Sequence, residues 1–300
     1  MAILTGEGML GLWSALKSVL LPGDRVLAIA TGVFGYGVAD MAKAIGAQVK
    51  TIGFAYNETI HDFESIEKAI IEFHPKMITI IHCETPSGTL NPLEKISELK
   101  SKHQVPLLYV DMVASIGGVP ILVDDWHIDF ALGGSQKVLS APADMSFLSI
   151  SPAAWNVIES VGYEGYDALL PFLHAQENFY FPYTPHWHGI FALNIATKLL
   201  LNEGLQNVYT RHQLVASYIQ EQSQRIGYEL FPALNAVLSP TVTALKVPES
   251  VPWQVLDHRF REQGLVVGGS YGPLTGKVFR LGHMGTQANM VLAHQVIDVL

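Results

Sequence analysis

The alternation of short apolar runs with helical patterns most limits how this 300-residue chain can fold. Four of the runs are apolar at nearly every position: 25–32 (RVLAIATG), 47–54 (AQVKTIGF), 76–83 (KMITIIHC) and 105–111 (VPLLYVD). Such runs are typical of strands that are buried on both faces of a parallel sheet. We expect helices at 37–45, 62–73 and 92–102, and further strands at 128–134 and 145–151. The sequence therefore predicts an α/β fold, with a mostly parallel central sheet and helices on both of its faces.

The pattern changes after residue 151, where the regular alternation stops. An aromatic, proline-rich stretch at 177–193 leads into long helical patterns at 189–203 and 205–225. Shorter strands and helices then alternate: strands at 241–247, 265–270 and 277–283, and helices at 252–263 and 287–300. We therefore expect a large domain over residues 1–204 and a smaller C-terminal α+β domain over residues 205–300.

Charge and composition exclude several classes of protein. The net charge is −9 and no basic run is present, which argues against nucleic-acid binding. No apolar run is long enough to span a membrane, and the first residues do not read as a signal peptide. The only cysteine, Cys83, excludes a disulfide framework and favours a reducing, cytoplasmic location. His186 and His188 have no third ligand near them in sequence, so no metal site is predicted.

A glycine-rich turn opens the chain, since Gly6, Gly8 and Gly11 spell G-x-G-x-x-G before a predicted helix at 9–21. In a dinucleotide-binding fold, an acidic residue about 20 positions further on ends the second strand. The second strand here ends without one, and Asp24 precedes it in a proline–glycine turn. The turn is therefore read as a helix N-terminus that can bind an anion, or as an ordinary tight turn, rather than as an NAD site.

Polar residues follow three of the apolar strands. Asp111 ends one strand, Lys137 follows another, and Glu84, Thr85 and Ser87 follow a third. Because the carboxyl ends of parallel strands meet at one edge of the sheet, we expect these residues to converge there. Alone, each residue also fits a cap, a solvated loop or a turn. Together with the anion cup, a lysine and a ring-nitrogen aspartate are the components of a pyridoxal 5′-phosphate site.

Longer motifs strengthen this interpretation. They are VDMVASIGGVP (110–120), GSQKVLSAP (134–142), ETPSGTLNPL (84–93) and GKVFRLGHMG (276–285). In order and spacing these motifs resemble the class-V aminotransferases of fold type I, in the alanine–glyoxylate and serine–pyruvate branch. The resemblance extends over essentially the whole chain.

The resemblance implies a pyridoxal-phosphate enzyme that moves an amino group between a small amino acid and a 2-oxo acid. Alanine or serine would be the donor type, and glyoxylate or pyruvate the acceptor type. Lys137 would form the Schiff base with the cofactor and then act as the general acid and base. Asp111 would keep the pyridine nitrogen protonated.

The resemblance also implies a role for further residues. The phosphate cup would be formed by Glu7, Gly8 and Met9, and Gln136 would lie near the phosphate. Phe34 and Val113 would cover the two faces of the cofactor ring. Thr85 would form a hydrogen bond with the ring hydroxyl. Arg280 would bind the substrate carboxylate in a bidentate manner. Tyr183 and Thr184 would reach the cofactor site of a neighbouring subunit, so a homodimer is expected.

The sequence departs from this branch of the family in two places. Glu7 occupies a cup position that is typically serine. A glutamate at this position resembles pyridoxamine–pyruvate aminotransferase, which acts on the unphosphorylated vitamer. Gln136 follows the phosphate-binding branch, and Tyr271 stands where the pyridoxamine enzyme has a second arginine, so the pyridoxal-phosphate enzyme is our first expectation.

The chain also begins only a few residues before the glycine turn, whereas family members have a preceding segment. A fragment, a mis-called start or a catalytically silent relative is the alternative that this suggests.

Overall fold

The computed structural model describes all residues from 1 to 300. It contains twelve strands: β1 (Ala2–Thr5), β2 (Arg25–Ala30), β3 (Gln48–Gly53), β4 (Met77–Ile81), β5 (Cys83–Glu84), β6 (Thr89–Leu90), β7 (Leu107–Asp111), β8 (Phe130–Gly134), β9 (Met145–Ile150), β10 (Val242–Lys246), β11 (Gly268–Gly269) and β12 (Val278–Gly282). It also contains nine α-helices: α1 (Gly8–Val19), α2 (Val33–Ala44), α3 (Phe63–Phe73), α4 (Glu94–Lys102), α5 (Pro152–Val161), α6 (Trp187–Glu203), α7 (Leu205–Arg225), α8 (Trp253–Glu262) and α9 (Met290–Val299). No helix combines the length and the apolar character needed to cross a membrane.

A seven-stranded sheet forms the centre of the molecule, in the order β1-β9-β8-β7-β4-β2-β3. Strands β2, β3, β4, β7 and β8 pair in parallel, and β9 pairs antiparallel with both β8 and β1. Strand β1 therefore runs in the same direction as the parallel strands, and only β9 runs in the opposite one. The predicted α/β fold with a mostly parallel sheet is confirmed.

Helices cover both faces of this sheet, which explains why its central strands are apolar throughout. One core contains side chains of α1, α2 and α5, and the other contains side chains of α3 and α4. All five residues of β4 and all five of β8 are buried. Strand β3 is the exception, because it lies at the edge of the sheet and most of its residues are only half-buried. Its prediction as a strand buried on both faces was wrong.

A second sheet lies in the C-terminal third and has the antiparallel order β10-β12-β11. Helices α7, α8 and α9 pack on it around Phe279, which is completely buried. Gly204, which has a φ of +87°, separates α6 from α7. We propose the division into residues 1–204 and 205–300 that the sequence predicts, and this turn supports it.

Besides the two-residue strand β6, which was not predicted, the structure differs most from the predicted elements in three places. Helix α5 was not predicted, although Ser151 caps it by accepting a hydrogen bond from the Ala154 N–H (3.0 Å) and Pro152 occupies its first turn. Helix α2 begins at residue 33 rather than 37, because a side chain from a distant segment binds its first turn. The strand predicted at 265–270 contains only the two residues of β11.

Candidate active site

One cavity at the carboxyl edge of the large sheet brings most of the predicted site residues together. It is lined by Glu7, Gly8, Met9, Phe34, Ile81, Cys83, Thr85, Asp111, Val113, Ala114, Gln136 and Lys137. Nine of these twelve are residues that the sequence predicts for the cofactor site. The other three are small or apolar, and Cys83 is among them.

The topology of the sheet explains this convergence. Asp111 is the last residue of β7, Gln136 and Lys137 follow β8, and Thr85 follows β4 across a short connection. Phe34 lies in the first turn of α2, and Glu7 immediately precedes α1. Since these strands run in the same direction, every one of these residues lies at the same edge.

The glycine turn has a packing role as well as a place in the site. A Cβ atom on Gly8 would lie 2.8 Å from Cγ2 of Val113, and one on Gly11 would lie 2.5 Å from Cδ1 of Leu132. Both glycines therefore allow α1 to approach the sheet closely, with its N-terminus at the cavity. The side chain of Glu7 makes no capping hydrogen bond, is exposed and lines the cavity. The Leu10 N–H donates to the Glu7 carbonyl oxygen (3.0 Å), so the N–H groups of Gly8 and Met9 are the ones left available to an anion.

Asp111 is held rigidly in the cavity. One carboxylate oxygen accepts a hydrogen bond from the Val113 N–H (2.9 Å). Burial raises the pKa of Asp111 to about 6. The negative charge of Glu7 also raises this pKa, whereas the Val113 N–H and the positive charge of Lys137 lower it. A carboxylate in such surroundings is stabilised by a cationic partner, which a protonated pyridine nitrogen would provide.

Gln136 supplies an unpaired polar atom in the same cavity. Its Oε1 is buried and has no hydrogen-bond partner within the chain. Buried amide groups are normally paired, so this atom indicates a polar ligand. Asp111, Lys137 and the free N–H groups of α1 match the ring nitrogen, the aldehyde and the phosphate of pyridoxal phosphate, and the Gln136 amide adds a further hydrogen-bonding group to the cavity. The residues of the cavity therefore fit this cofactor.

The loop that carries Lys137, residues 136–142, is supported by the C-terminal part of the chain. The hydroxyl of Ser140 accepts a hydrogen bond from the Thr286 N–H (2.9 Å). Gly285 lies directly against Val138, where a Cβ atom would be 3.0 Å from the carbonyl carbon. Gly285 itself is held by Arg211, which donates to its carbonyl oxygen (2.7 Å), and by His212, which accepts from its N–H (2.9 Å). The late GHMG motif thus supports the loop that carries the lysine.

Three of the predicted residues lie outside the cavity. Arg280 donates from Nε and Nη2 to the carbonyl oxygen of Gly269 (3.0 and 2.7 Å), and its guanidinium lies 4.6 Å from the ring centre of Tyr271. The Tyr183 hydroxyl accepts a hydrogen bond from the Thr5 N–H (3.4 Å), and Thr184 is exposed. The expected contacts of Tyr183 and Thr184 with a second subunit remain predictions.

Sequence reasoning missed the part that Glu84 plays in the site. The sequence points to Glu84 only as one polar residue in a loop, yet its side chain is completely buried. It accepts hydrogen bonds from the N–H groups of Gly35 (2.7 Å) and Phe34 (3.3 Å). The two segments are 49 and 50 residues apart in sequence, so no local pattern could have indicated the contact.

The absence of a metal site stays a prediction. His186 pairs with Asp144 (2.9 Å), and no group of three His, Cys, Asp or Glu side chains is arranged to hold a metal ion.

The fold and the cavity define the chain as a pyridoxal-phosphate-dependent enzyme of fold type I. The family described as aminotransferase class-V matches residues 5–279. The chain is 32% identical to pyridoxamine–pyruvate transaminase of Mesorhizobium japonicum, in an alignment that covers 99% of this chain and 77% of the relative. It is 34% identical to alanine–glyoxylate aminotransferase of Callithrix jacchus, in an alignment that covers 99% of this chain and 73% of the relative.

The solved structures agree with these relatives. Pyridoxamine–pyruvate aminotransferase from Mesorhizobium loti superposes with a TM-score of 0.95 at 31% identity, over 99% of this chain and 77% of that one. This chain belongs to the class-V aminotransferases. It is an aminotransferase, and the resemblance that the sequence motifs indicate is confirmed.

Proposed function

We propose that this aminotransferase uses pyridoxal 5′-phosphate to move an amino group between an alanine- or serine-type amino acid and a glyoxylate- or pyruvate-type 2-oxo acid. The observation that carries the proposal is the convergence of Lys137, Asp111, Thr85 and Gln136 on one cavity at the carboxyl edge of the sheet. The alanine–glyoxylate and pyridoxamine–pyruvate relatives support the small substrates.

We assign each residue of the site a separate role in the reaction. When bound, pyridoxal phosphate supplies an electron sink that stabilises negative charge at the substrate α-carbon. Asp111 holds a proton on the ring nitrogen, and Thr85 orients the ring hydroxyl. The Lys137 amine carries the cofactor and moves the proton to and from the α-carbon. Arg280 offers its remaining N–H donors to the substrate carboxylate, with the Tyr271 ring against its guanidinium.

Absorbance spectroscopy tests this function directly. Purified protein mixed with pyridoxal phosphate should show a visible absorbance band, which L-alanine should bleach and glyoxylate should restore. Lys137→Ala should abolish the band, whereas Lys100→Ala, a lysine that pairs with Asp129 at the opposite edge of the sheet, should retain it. A wild-type protein that shows no band, or a band that L-alanine leaves unchanged, would refute the proposal.

A second candidate function is pyridoxamine–pyruvate aminotransfer on the unphosphorylated vitamer. The observation that favours it is Glu7, whose exposed carboxylate lines the cavity at the N-terminus of α1. A carboxylate at this position repels a phosphate. Glu7→Ser should therefore tighten the binding of pyridoxal phosphate and leave the binding of pyridoxal unchanged. Turnover with free pyridoxamine and pyruvate alone would establish the second function instead of the first.

We also propose that the protein is a homodimer. Helix α6 exposes four large apolar residues at four-residue intervals, which lie on one side of the helix: Trp187, Phe191, Ile195 and Leu199. A contiguous apolar surface of this kind is typical of an interface between subunits. It directly follows Tyr183 and Thr184, which we propose to reach the partner's cavity. Light scattering should give the dimer mass for wild type and for Ile71→Glu on α3, and the monomer mass for Phe191→Glu.

The cytoplasmic location is likewise a proposal. It is supported by the single cysteine, which is buried and unpaired.

A further inference from the structure

Glu84 is a completely buried acid that connects two parts of the candidate active site. Its carboxylate accepts the N–H groups of Gly35 at 2.7 Å and Phe34 at 3.3 Å, both in the first turn of α2. Its carbonyl oxygen accepts the N–H groups of Ser87 (3.1 Å) and Gly88 (2.9 Å), which fold the loop that contains Thr85. One residue therefore joins the segment of Phe34 to the segment of Thr85.

The backbone around Glu84 leaves space for this contact. A Cβ atom on Gly32 would lie 2.7 Å from the carboxyl carbon of Glu84, and one on Gly35 would lie 3.3 Å from Oε1. Any larger residue at position 32 would displace the carboxylate. Gly32 is thus required where the side chain approaches the helix, whereas Gly35 is required mainly because its Cβ would lie 2.8 Å from Cα of Ala30.

No cation pairs with Glu84. The N–H groups of Gly35 and Phe34 favour its charged form, but burial outweighs them and raises its pKa to about 7. The ionisable groups that interact with it are Asp111, which repels its charge, Tyr56 and Cys83. The N-terminus of a helix carries a partial positive charge, and its first N–H groups lack intrahelical partners. Glu84 satisfies two of these groups, and it does so beside the Phe34 side chain that lines the cavity.

We infer that Glu84 is a positioning residue, which binds the first turn of α2 and thereby holds the Phe34 ring in the place where it covers the cofactor ring. The inference rests on the proposed function, because it assigns the face of the cofactor that Phe34 covers. Glu84 does not line the cavity, and it acts only through the backbone of residues 34 and 35.

Glu84→Gln tests the inference, because it keeps the size of the side chain but leaves only one of the two oxygens that accept the N–H groups of Phe34 and Gly35. Asp129→Asn is the matched control, since Asp129 is also a buried carboxylate that accepts a backbone N–H, that of Leu108 at 2.7 Å, but at the opposite edge of the sheet. Hydrogen exchange of the free protein should become faster at residues 33–37 in Glu84→Gln and stay unchanged there in Asp129→Asn. The Kd for pyridoxal phosphate should rise about tenfold in Glu84→Gln alone.

A double-mutant cycle separates positioning from a general loss of stability. If Glu84 acts through Phe34, Glu84→Gln should weaken cofactor binding much less in a Phe34→Ala background than in wild type. Equal effects in the two backgrounds, or unchanged exchange at residues 33–37, would refute the inference while leaving the proposed function intact. Failure of the wild type to bind pyridoxal phosphate would refute the proposed function, and the exchange measurement would still decide whether Glu84 holds this turn.

Discussion

Gly285 offers the most direct test of how the C-terminal part of the chain supports the lysine loop. It has a φ of +61° and lies against Val138, the residue that follows Lys137. A Cβ atom there would be 3.0 Å from the Val138 carbonyl carbon and closer still to the carbonyl oxygen and the Ser140 hydroxyl. Hydrogen bonds from Arg211 and to His212 prevent Gly285 from moving away. The Gly285→Ala substitution must therefore displace the lysine loop.

Two separate effects determine how much stability Gly285→Ala loses. Alanine in the left-handed region costs roughly 1–2 kcal/mol relative to glycine. Forcing a methyl group into backbone that cannot move away typically costs about 1–3 kcal/mol more. We expect Gly285→Ala to lower the free energy of unfolding by about 3 kcal/mol. Gly264→Ala is the matched control, because Gly264 has a φ of +80° and no atom within 4 Å, so only the conformational cost of roughly 1–2 kcal/mol applies.

Denaturant titration of the two variants measures this difference in the free energy of unfolding. Cofactor titration shows whether the substitution also weakens binding at the active site. Gly285→Ala should raise the Kd for pyridoxal phosphate about tenfold, since the displaced segment contains Lys137 and Gln136. Gly264→Ala should bind like wild type. Equal losses of stability in the two variants, with unchanged cofactor affinity in both, would refute the idea that this contact positions the lysine loop.

Three further predictions concern charge in the site. Asp111→Asn should lower the aminotransferase rate about 100-fold or more, because an amide cannot stabilise a protonated ring nitrogen; a rate near wild type would contradict the role of Asp111. The contribution of Glu84 to the free energy of unfolding should fall as the pH rises from 4.5 to 7, because burial raises the pKa of Glu84 to about 7. This contribution is fully present below the ordinary pKa of 4.5 and amounts to about 3 kcal/mol, so the unfolding free energy of wild type should fall by about this amount relative to that of Glu84→Gln across this range. Arg280→Lys should raise the KM for the amino acid about tenfold, because lysine lacks the planar fork, and an unchanged KM would exclude the proposed carboxylate contact.

The positions of the strands and of the residues that follow them could be read from the sequence because both depend on local patterns. A strand that is buried on both faces must be apolar throughout, so β2, β4 and β7 are visible as continuous runs. Once the strands are parallel, the residues after them must meet at one edge. The positions of Asp111 and Lys137 directly after two such strands therefore predict that they lie close together, and both line the same cavity.

Contacts between distant segments could not be read in this way. The burial of Glu84 and the early start of α2 depend on each other across about 50 residues, and neither segment has an unusual composition. The hydrogen bonds of Arg280 to the Gly269 carbonyl depend on the pairing of β11 with β12, since Gly268 lies opposite Arg280. Helix α5 is different, because Ser151, Pro152 and Gly162 form a recognisable start and end that could have predicted it.

The glycine turn at the start of the chain shows why a motif needs its structural context. Two of the three glycines in G-x-G-x-x-G are explained by close packing, Gly8 against Val113 and Gly11 against Leu132. Any helix that leaves a strand and crosses its neighbours at this distance requires small residues on the contacting side, whatever ligand its N-terminus binds. The spacing of the glycines therefore indicates that α1 packs closely against the sheet. The identity of the ligand depends instead on Lys137 and Asp111, which other strands bring to the same cavity.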